Sequence, residues 1–174
     1  LTQRQKDAIQ NPRKAGVFKT KHLNLWVQAR NAYFNVQRWL EVADSRLKLE
    51  DFAGQPATVS IDLASKVDIA AIEIVIKLAD CRECPAADRL IEQGRDYVRF
   101  GRYYLPEATI NLPENEHYRT WRDAGLIVET EGDMIDFAAI EDDILGLPVE
   151  VSELAYDPWN ATYLITRLQA EGVQ

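Results

Sequence analysis

The sequence predicts an α/β fold in which a mixed sheet is flanked by helices. Three apolar segments of strand length follow one another at residues 58–63, 69–78 and 96–105, separated by a turn and a short insertion, which favours an antiparallel three-strand meander. A helical stretch then precedes a fourth such segment, Val151–Tyr156. Because a strand that follows a helical crossover normally lies parallel to its partner, we expect the fourth strand to pair in parallel with the first.

Punctuating residues and side-chain periodicity define the strands of the meander. The first strand follows the Gly54–Pro56 break and ends near Leu63. A polar turn at residues 64–68 leads into the second strand, which is apolar and β-branched. Residues 80–94 form the insertion, with a short helix. In the third strand aromatic and charged residues alternate, which indicates one exposed face.

Three helices are predicted from the residues that begin and end them. Proline is favoured in the first helical turn, aspartate accepts hydrogen bonds from the N–H groups there, and glycine commonly follows the last turn. Leu126–Glu129 is a short extended segment after the first helix. The predicted helices are Pro113–Ala124 before Gly125, Phe137–Leu145 between Asp136 and Gly146, and Asn160–Ala170 before Gly172.

Charge divides the chain into a basic part, residues 1–48, and an acidic remainder. The net charge of −8 has the wrong sign for a general nucleic-acid binder, although a metal-dependent nuclease site is itself acidic. Within the basic part, residues 23–42 have apolar residues at helical spacing, which predicts an amphipathic helix that packs on a partner surface. No apolar run reaches the ~18 residues of a membrane span.

Two of the predicted strands deliver an aspartate at or near their end. Asp62 ends the first strand and Asp157 follows the fourth, so pairing of these strands brings both carboxylates to one edge of the sheet. Close carboxylates repel each other unless a cation or a proton lies between them, and hard divalent metals prefer oxygen ligands. The sequence therefore predicts a metal site, with a structural or helix-capping role for the two aspartates as the alternative.

Other polar residues are weaker candidates for the site. Asp68 lies in the turn after the first strand, where it is either a further metal ligand or a residue that stabilises the turn. Lys66, in the same turn, either contacts a phosphate or is solvated. Glu141, in the helix before the fourth strand, is either a ligand or part of a solvated acidic face. Cys81 and Cys84 have the spacing of half a zinc site or of a redox pair, with a solvent-facing hairpin insertion as the alternative.

Four segments resemble the nuclease domain of phage terminase large subunits. Ala155–Ala161, which reads Ala-Tyr-Asp-Pro-Trp-Asn-Ala, is the most specific of them, and Asp62–Ala71 resembles the first nuclease motif of the family. Tyr103–Glu107 is similar to the family's third strand and the turn after it, and Gly132–Phe137 to its next helix entry. Together they cover residues 55–172 in the family's order.

The resemblance implies an RNase H-like endonuclease that cuts concatemeric double-stranded DNA by two-metal hydrolysis with Mg²⁺ or Mn²⁺. It implies that Asp62 and Asp157 are catalytic metal ligands and that Asp68 assists them. Residues 1–50 would be the tail of an ATPase domain and a linker helix. Residues 51–174 would be the nuclease domain without its last strand and third acidic residue, so we expect weak cleavage or none.

The resemblance also implies partners and a location. The partners would be double-stranded DNA, the terminase ATPase domain, the small subunit and the portal protein, in the host cytoplasm and away from membranes. A non-catalytic docking or assembly module of the packaging motor is one alternative, which would bind a partner without cutting DNA. A junction resolvase of RNase H-like fold is another, against which the Asp157–Asn160 motif and the flanking basic helix argue.

Overall fold

The computed structural model describes residues 2–23, 36–158 and 160–173. The chain divides into two compact units, Leu1–Leu47 and Lys48–Gln174. Of the amphipathic helix predicted over residues 23–42, residues 24–35 lie outside the described part of the chain. The helices described in the first unit are α1 (Thr2–Gln10), α2 (Pro12–Leu23) and α3 (Val36–Glu41).

The second unit is built on a five-stranded mixed sheet. Its strands are β1 (Pro56–Asp62), β2 (Ala70–Lys77), β3 (Tyr97–Pro106), β4 (Val128–Thr130) and β5 (Glu150–Tyr156). They lie in the order β4-β3-β2-β1-β5. β2 pairs antiparallel with both β1 and β3, and β5 pairs parallel with β1. The predicted meander with a parallel strand beside β1 is therefore confirmed.

The short strand β4 extends the sheet beyond the prediction. The sequence predicts only a separate extended segment near residues 126–129, whereas β4 pairs in parallel with the end of β3, from Tyr104 to Pro106. Three residues are too few to show a periodic pattern in the sequence. Pairing satisfies the backbone N–H and C=O groups of β4, which explains why so short a segment joins the sheet.

One face of the sheet, the covered face, forms the core of the second unit. Successive side chains of a strand lie on opposite faces, and alternate residues of β1 and β2 are almost fully buried. Full burial of an aliphatic side chain contributes about 1.5–3 kcal/mol relative to exposure, so this face supplies much of the stability. The buried residues of these strands are Ala57, Val59, Ile61, Ala70, Ile72, Ile74 and Ile76.

Helices of the second unit connect and flank the strands. Single 3₁₀ turns occur at Leu49–Phe52, Leu78–Asp80 and Pro113–Asn115. Among the residues described, no helix combines the length and the apolar character needed to cross a membrane. The α-helices described here are α4 (Pro85–Glu92), α5 (Glu107–Ile110), α6 (Glu116–Asp123), α7 (Phe137–Leu145) and α8 (Thr162–Ala170).

The sequence predicts the start of α7 correctly and the start of α8 two residues too early. Asp136 caps α7 as predicted, because its carboxylate accepts a 2.9 Å hydrogen bond from the Ala138 N–H. The sequence predicts that the last helix begins at Asn160, whereas α8 begins at Thr162 with Ala161 as its N-cap. Asn160 has a φ of 64°, a left-handed conformation that asparagine tolerates but a helix does not. Asp157 therefore does not cap α8.

Candidate functional site

The two predicted site aspartates lie at the same end of neighbouring parallel strands. Asp62 is the last residue of β1, and Asp157 directly follows β5. The last pair of the ladder joins Ile61 to Tyr156, so the same register continued by one residue sets Asp62 level with Asp157. Neighbouring strands lie roughly 5 Å apart. Both aspartates are exposed, so the two carboxylates reach solvent at one edge of the sheet.

A β-bulge in β5 sets this register. The pairing of β5 with β1 shifts by one residue between Ala57 and Thr58, and Ser152 is the extra residue. The Ser152 hydroxyl donates a 3.0 Å hydrogen bond to the Ala57 carbonyl, which fixes the bulge. A one-residue slip exchanges the faces of a strand. If the register before the bulge continued, Asp62 and Asp157 would lie at different levels and on different faces.

Asp62 belongs to the face of the sheet opposite the core, which we call the open face. Ile61 is buried on the covered face, and Asp62, the next residue, is exposed. The Thr58 hydroxyl donates a 3.3 Å hydrogen bond to the Glu153 carboxylate, so residues paired between β1 and β5 share this face. The open face includes Thr58, Ser60, Asp62, Ala71, Glu73, Val75, Arg99, Gly101, Tyr103, Glu153 and Ala155.

Glu73 provides another carboxylate on the open face, two residues along β2 from the residue that pairs with Asp62. Asp62 pairs with Ala71, and Glu73 is the next residue of β2 on this face. Diagonal neighbours of this kind lie roughly 7 Å apart. Arg99 donates to both Glu73 oxygens at 2.8 and 2.9 Å, and the Tyr103 hydroxyl donates at 2.7 Å. These two donors hold the Glu73 carboxylate toward β3.

Gly101 makes the contact between Tyr103 and Glu73 possible. It pairs with Glu73 in the ladder, and a Cβ atom at this position would lie 2.5 Å from Tyr103 Oη and 2.8 Å from Glu73 Oε1. Burial and the hydrogen bond to Glu73 raise the pKa of Tyr103, which keeps the hydroxyl a donor. Glu73 is not predicted as a site residue, and the signal for it is a single acid within the apolar sequence of β2.

The loop between β1 and β2 carries Asp68 and Lys66 at the Asp62 end of the sheet. Both side chains are exposed. The Lys66 carbonyl accepts a 2.6 Å hydrogen bond from the Thr109 hydroxyl, which fastens the loop backbone to α5. The loop therefore exposes one carboxylate and one ammonium group at the end of the sheet where Asp62 lies. This placement is compatible with both of the roles that the sequence leaves open for each residue.

Glu141 has a structural role between α7 and α8. Its side chain is 7% exposed, and Arg167 Nε lies 2.9 Å from one carboxylate oxygen and 2.7 Å from the other. Arg167 also donates a 3.2 Å hydrogen bond to the Tyr163 hydroxyl. The bonds to Tyr163 and Glu141 raise the pKa of Arg167. Glu141 is thus the buried partner of an ion pair, and it is not the solvated residue that an acidic helix face predicts.

The donor set at the sheet edge fits a hydrated hard cation. Within the described ranges, no group of three or more His, Cys, Asp and Glu side chains is arranged to hold a metal. Magnesium, however, usually keeps several waters and binds proteins through one or two carboxylates. Asp62 and Asp157 supply two exposed carboxylates at one level of the sheet. These two residues are therefore compatible with a water-rich Mg²⁺ or Mn²⁺ site.

Cys81 and Cys84 lie in the connection from β2 to α4, at the end of β2 remote from Asp62. Both are free thiols, and Cys84 is buried with its sulfur 3.6 Å from the Asp51 carbonyl oxygen. Burial and the neighbouring Cys84 thiol raise the pKa of Cys81. In the part of the chain that is described, no further ligands complete a zinc site around them. The pair is therefore a packed part of the insertion, less exposed than a solvent-facing hairpin.

Comparison with known proteins finds relatives along the whole chain. Residues 1–173 match the model of the family described as terminase large subunit, endonuclease domain. The chain is 34% identical over 167 residues to Protein YmfN of Escherichia coli strain K12, a match that covers 94% of this chain and 36% of YmfN.

A solved structure shares the fold. The crystal structure of the HK97 bacteriophage large terminase matches with a TM-score of 0.59 and 16% sequence identity, over 99% of this chain and 33% of that protein. The chain therefore spans about a third of the length of both relatives.

Proposed function

We propose that this chain, which belongs to the family of terminase large-subunit endonuclease domains, hydrolyses phosphodiester bonds of double-stranded DNA with the help of Mg²⁺ or Mn²⁺. The observation that carries the proposal is the register of β1 and β5, which sets Asp62 level with Asp157 on the open face. Carboxylates arranged in this way suit hard divalent cations. Two metals about 3.5–4 Å apart are the arrangement that suits phosphodiester hydrolysis.

Each site residue has a proposed role. Asp62 and Asp157 would hold the metal, and Asp68 would assist from the loop through water. A bound divalent metal supplies an activated water and neutralises charge on the leaving oxygen. Asp62 lies in a strand that is paired on both sides, and its partner in β2 is the small residue Ala71. Lys66 would contact a phosphate of the substrate.

The wider role proposed for the chain is the cutting of concatemeric DNA during genome packaging. In this proposal residues 1–50 form the tail of the ATPase domain and a linker, and residues 51–174 form the nuclease domain. Double-stranded DNA, the ATPase domain, the small subunit and the portal protein are the proposed partners. Membership of the terminase large-subunit endonuclease family and the fold shared with the HK97 bacteriophage large terminase support this assignment.

Nicking of supercoiled plasmid in the presence of Mn²⁺ tests the function, together with Mn²⁺ binding measured by calorimetry. Asp62→Asn and Asp157→Asn are each expected to weaken Mn²⁺ binding by on the order of tenfold, because each removes one of two carboxylate ligands. Nicking, weak in the unsubstituted chain, should fall below detection in both. The matched control is Glu150→Gln, which removes one exposed carboxylate at the opposite end of β5.

Two results would change the proposal in different ways. Nicking that survives both aspartate substitutions would show that the site is elsewhere. Absence of both Mn²⁺ binding and Mn²⁺-dependent nicking in the unsubstituted chain, with binding to a portal or small-subunit protein, would favour the docking module instead.

A further inference from the structure

Positive charge is concentrated in the N-terminal helical unit. Residues 1–47 contain nine Lys and Arg against three Asp and Glu, a net charge of +6. Residues 48–174 contain eleven Lys and Arg against twenty-five Asp and Glu, a net charge of −14. A polyanion is attracted to a surface of the first kind and repelled by one of the second. The unit that carries the proposed site is therefore poorly suited to attract DNA unaided.

Four cations of the first unit lie exposed on α1 and α2. Lys14 and Lys21 of α2 are exposed and lie seven residues apart, which is two turns and roughly 10 Å along one face of the helix. Val17, between them on that face, is 51% exposed. On α1, Arg4 and Lys6 are exposed. We call these four exposed cations of α1 and α2, Arg4, Lys6, Lys14 and Lys21, the basic surface; Arg4 and Lys6 lie on different sides of α1, because residues two apart in a helix do not share a face.

Little negative charge opposes this surface. Asp7 is the sole acidic residue among the first forty. Its carboxylate lies 3.6 Å from the Lys14 ammonium group and accepts a 3.0 Å hydrogen bond from Gln3. An exposed pair at this distance is worth at most about 1 kcal/mol and is screened by salt, so it does not prevent Lys14 from meeting another anion.

Cations of the second unit are held by its own carboxylates. Five of its eleven Lys and Arg residues form ion pairs within the unit, and the acidic excess around the others opposes the approach of phosphate. The contrast between the two units is therefore one of net charge, +6 against −14. The five pairs are Lys77–Asp80, Arg99–Glu73, Arg102–Asp143, Arg122–Glu129 and Arg167–Glu141.

We infer that the basic surface of α1 and α2 is the element through which this chain contacts the phosphate backbone of duplex DNA. The inference rests on the proposed function, because it assigns the surface that holds the substrate of that site. Duplex DNA carries one negative charge per about 1.7 Å of helix axis, so phosphates are close enough together for Lys14 and Lys21, roughly 10 Å apart, to contact one each. Such contacts are independent of base sequence and position the duplex without specifying where it is cut.

Binding of a fluorescently labelled duplex, followed by anisotropy in EDTA over a series of NaCl concentrations, tests the inference without cleavage. Lys6→Glu/Lys21→Glu reverses two charges of the basic surface and leaves the Lys14–Asp7 contact in place. Each phosphate contact contributes about 0.9 to the slope of log K against log salt, so the slope should flatten by about 2 and the affinity at low salt should fall at least about tenfold.

Arg89→Glu/Arg95→Glu is the matched control, because it makes the same charge change at two exposed cations of the second unit. It should lower the affinity less than about twofold. Lys6→Arg/Lys21→Arg keeps both charges and should bind as the unsubstituted chain does. Unchanged circular dichroism and melting temperature will show that the variants are folded.

Three results would overturn the inference. They are equal losses from the two charge-reversal variants, no DNA binding by the unsubstituted chain, and binding of poly-L-glutamate in preference to duplex DNA, which would point to an acidic protein partner. The test is separable from that of the site, because binding in EDTA does not depend on the metal or on Asp62. A chain that binds DNA through α1 and α2 but neither binds Mn²⁺ nor cuts would keep this inference and lose the proposed function.

Discussion

The two faces of the sheet use the same strands for different purposes. On the covered face, alternate residues of β2 such as Ile72 and Ile74 are fully buried. The residues that follow these two, Glu73 and Val75, lie on the open face and are half-buried. Asp62, at the end of the neighbouring strand β1, is exposed on the same face. A one-residue alternation thus separates the groups that stabilise the fold from the groups that are available for chemistry.

Two adjacent tyrosines show the same contrast on a smaller scale. Tyr104 is fully buried on the covered face and donates a 2.6 Å hydrogen bond to Asp143, which also lies 2.7 Å from Arg102. Tyr103 is half-buried on the open face and donates a 2.7 Å hydrogen bond to Glu73. Both tyrosines donate to a partly exposed carboxylate, but Tyr104 is itself fully buried whereas Tyr103 is half-buried, so Tyr104 should matter more to stability.

The two faces should differ most in the stability that is lost when an aliphatic side chain is replaced by alanine. Ile74→Ala removes a fully buried side chain from the covered face and should lower the free energy of unfolding by about 2–5 kcal/mol. Val75→Ala, the matched change on the open face, should cost less than about 1.5 kcal/mol because the side chain is only half-buried. Urea unfolding followed by circular dichroism measures both. Equal losses would mean that the open face is covered in solution.

Local patterns in the sequence predict most of the fold and the approximate place of the site. Alternation within each run defines β1, β2 and β3, and the helical crossover places β5 beside β1. Asp136 is a cap that can be recognised within three residues of sequence. These features depend on neighbours along the chain, so a single sequence is sufficient to predict them.

Features that depend on distant residues are not predictable in this way. The bulge at Ser152 determines which residue of β5 lies beside Asp62, and it forms through a contact with Ala57, 95 residues away. Glu73 meets its partners Arg99 and Tyr103 at separations of 26 and 30 residues. Propensities along the chain carry no signal for such pairs, because the contacts are created by the register of the sheet.

Alkaline pH should separate the two tyrosines. Burial and the hydrogen bond to Asp143 raise the pKa of Tyr104 above its usual value of 10.0. The unfolded chain then loses the proton first, so the stabilisation is fully present below about pH 10 and is lost as the pH rises further. Tyr104→Phe should therefore cost about 1 kcal/mol at neutral pH and should flatten the alkaline loss of stability.

Tyr103→Phe is the comparison for this measurement. Burial and the hydrogen bond to Glu73 also raise the pKa of Tyr103, so stability is again lost as the pH rises above about 10. Because Tyr103 is only half-buried, Tyr103→Phe should flatten this alkaline loss of stability less than Tyr104→Phe does. The free energy of unfolding is measured for both variants at neutral pH and above pH 10, which gives the alkaline loss of stability of each. A larger change in stability from Tyr103→Phe than from Tyr104→Phe would mean that the tyrosine on the open face contributes more to stability than the one on the covered face.

The smallest effect concerns Gly101, whose missing side chain lets Tyr103 reach Glu73 across the open face. In Gly101→Ala the new Cβ would meet Tyr103 Oη at 2.5 Å, so the ring must move and its hydrogen bond is lost. That loss, about 0.5–1.5 kcal/mol, is opposed by the roughly 0.5–1 kcal/mol by which alanine is favoured over glycine in a strand. The net change in unfolding free energy should therefore be below about 1 kcal/mol.

A double-mutant cycle with Tyr103→Ala separates the cost of displacing the Tyr103 ring from the gain of replacing glycine by alanine. Once the ring is absent, Gly101→Ala meets only the flexible end of Glu73, at 2.8 Å, and should be neutral or stabilising by up to about 1 kcal/mol. The coupling between the two positions should then be about 0.5–1.5 kcal/mol. Zero coupling would mean that Gly101 is tolerated rather than required. The Tyr103–Glu73 contact would then form without help from the glycine, and Arg99 and Tyr103 alone would hold Glu73 toward β3.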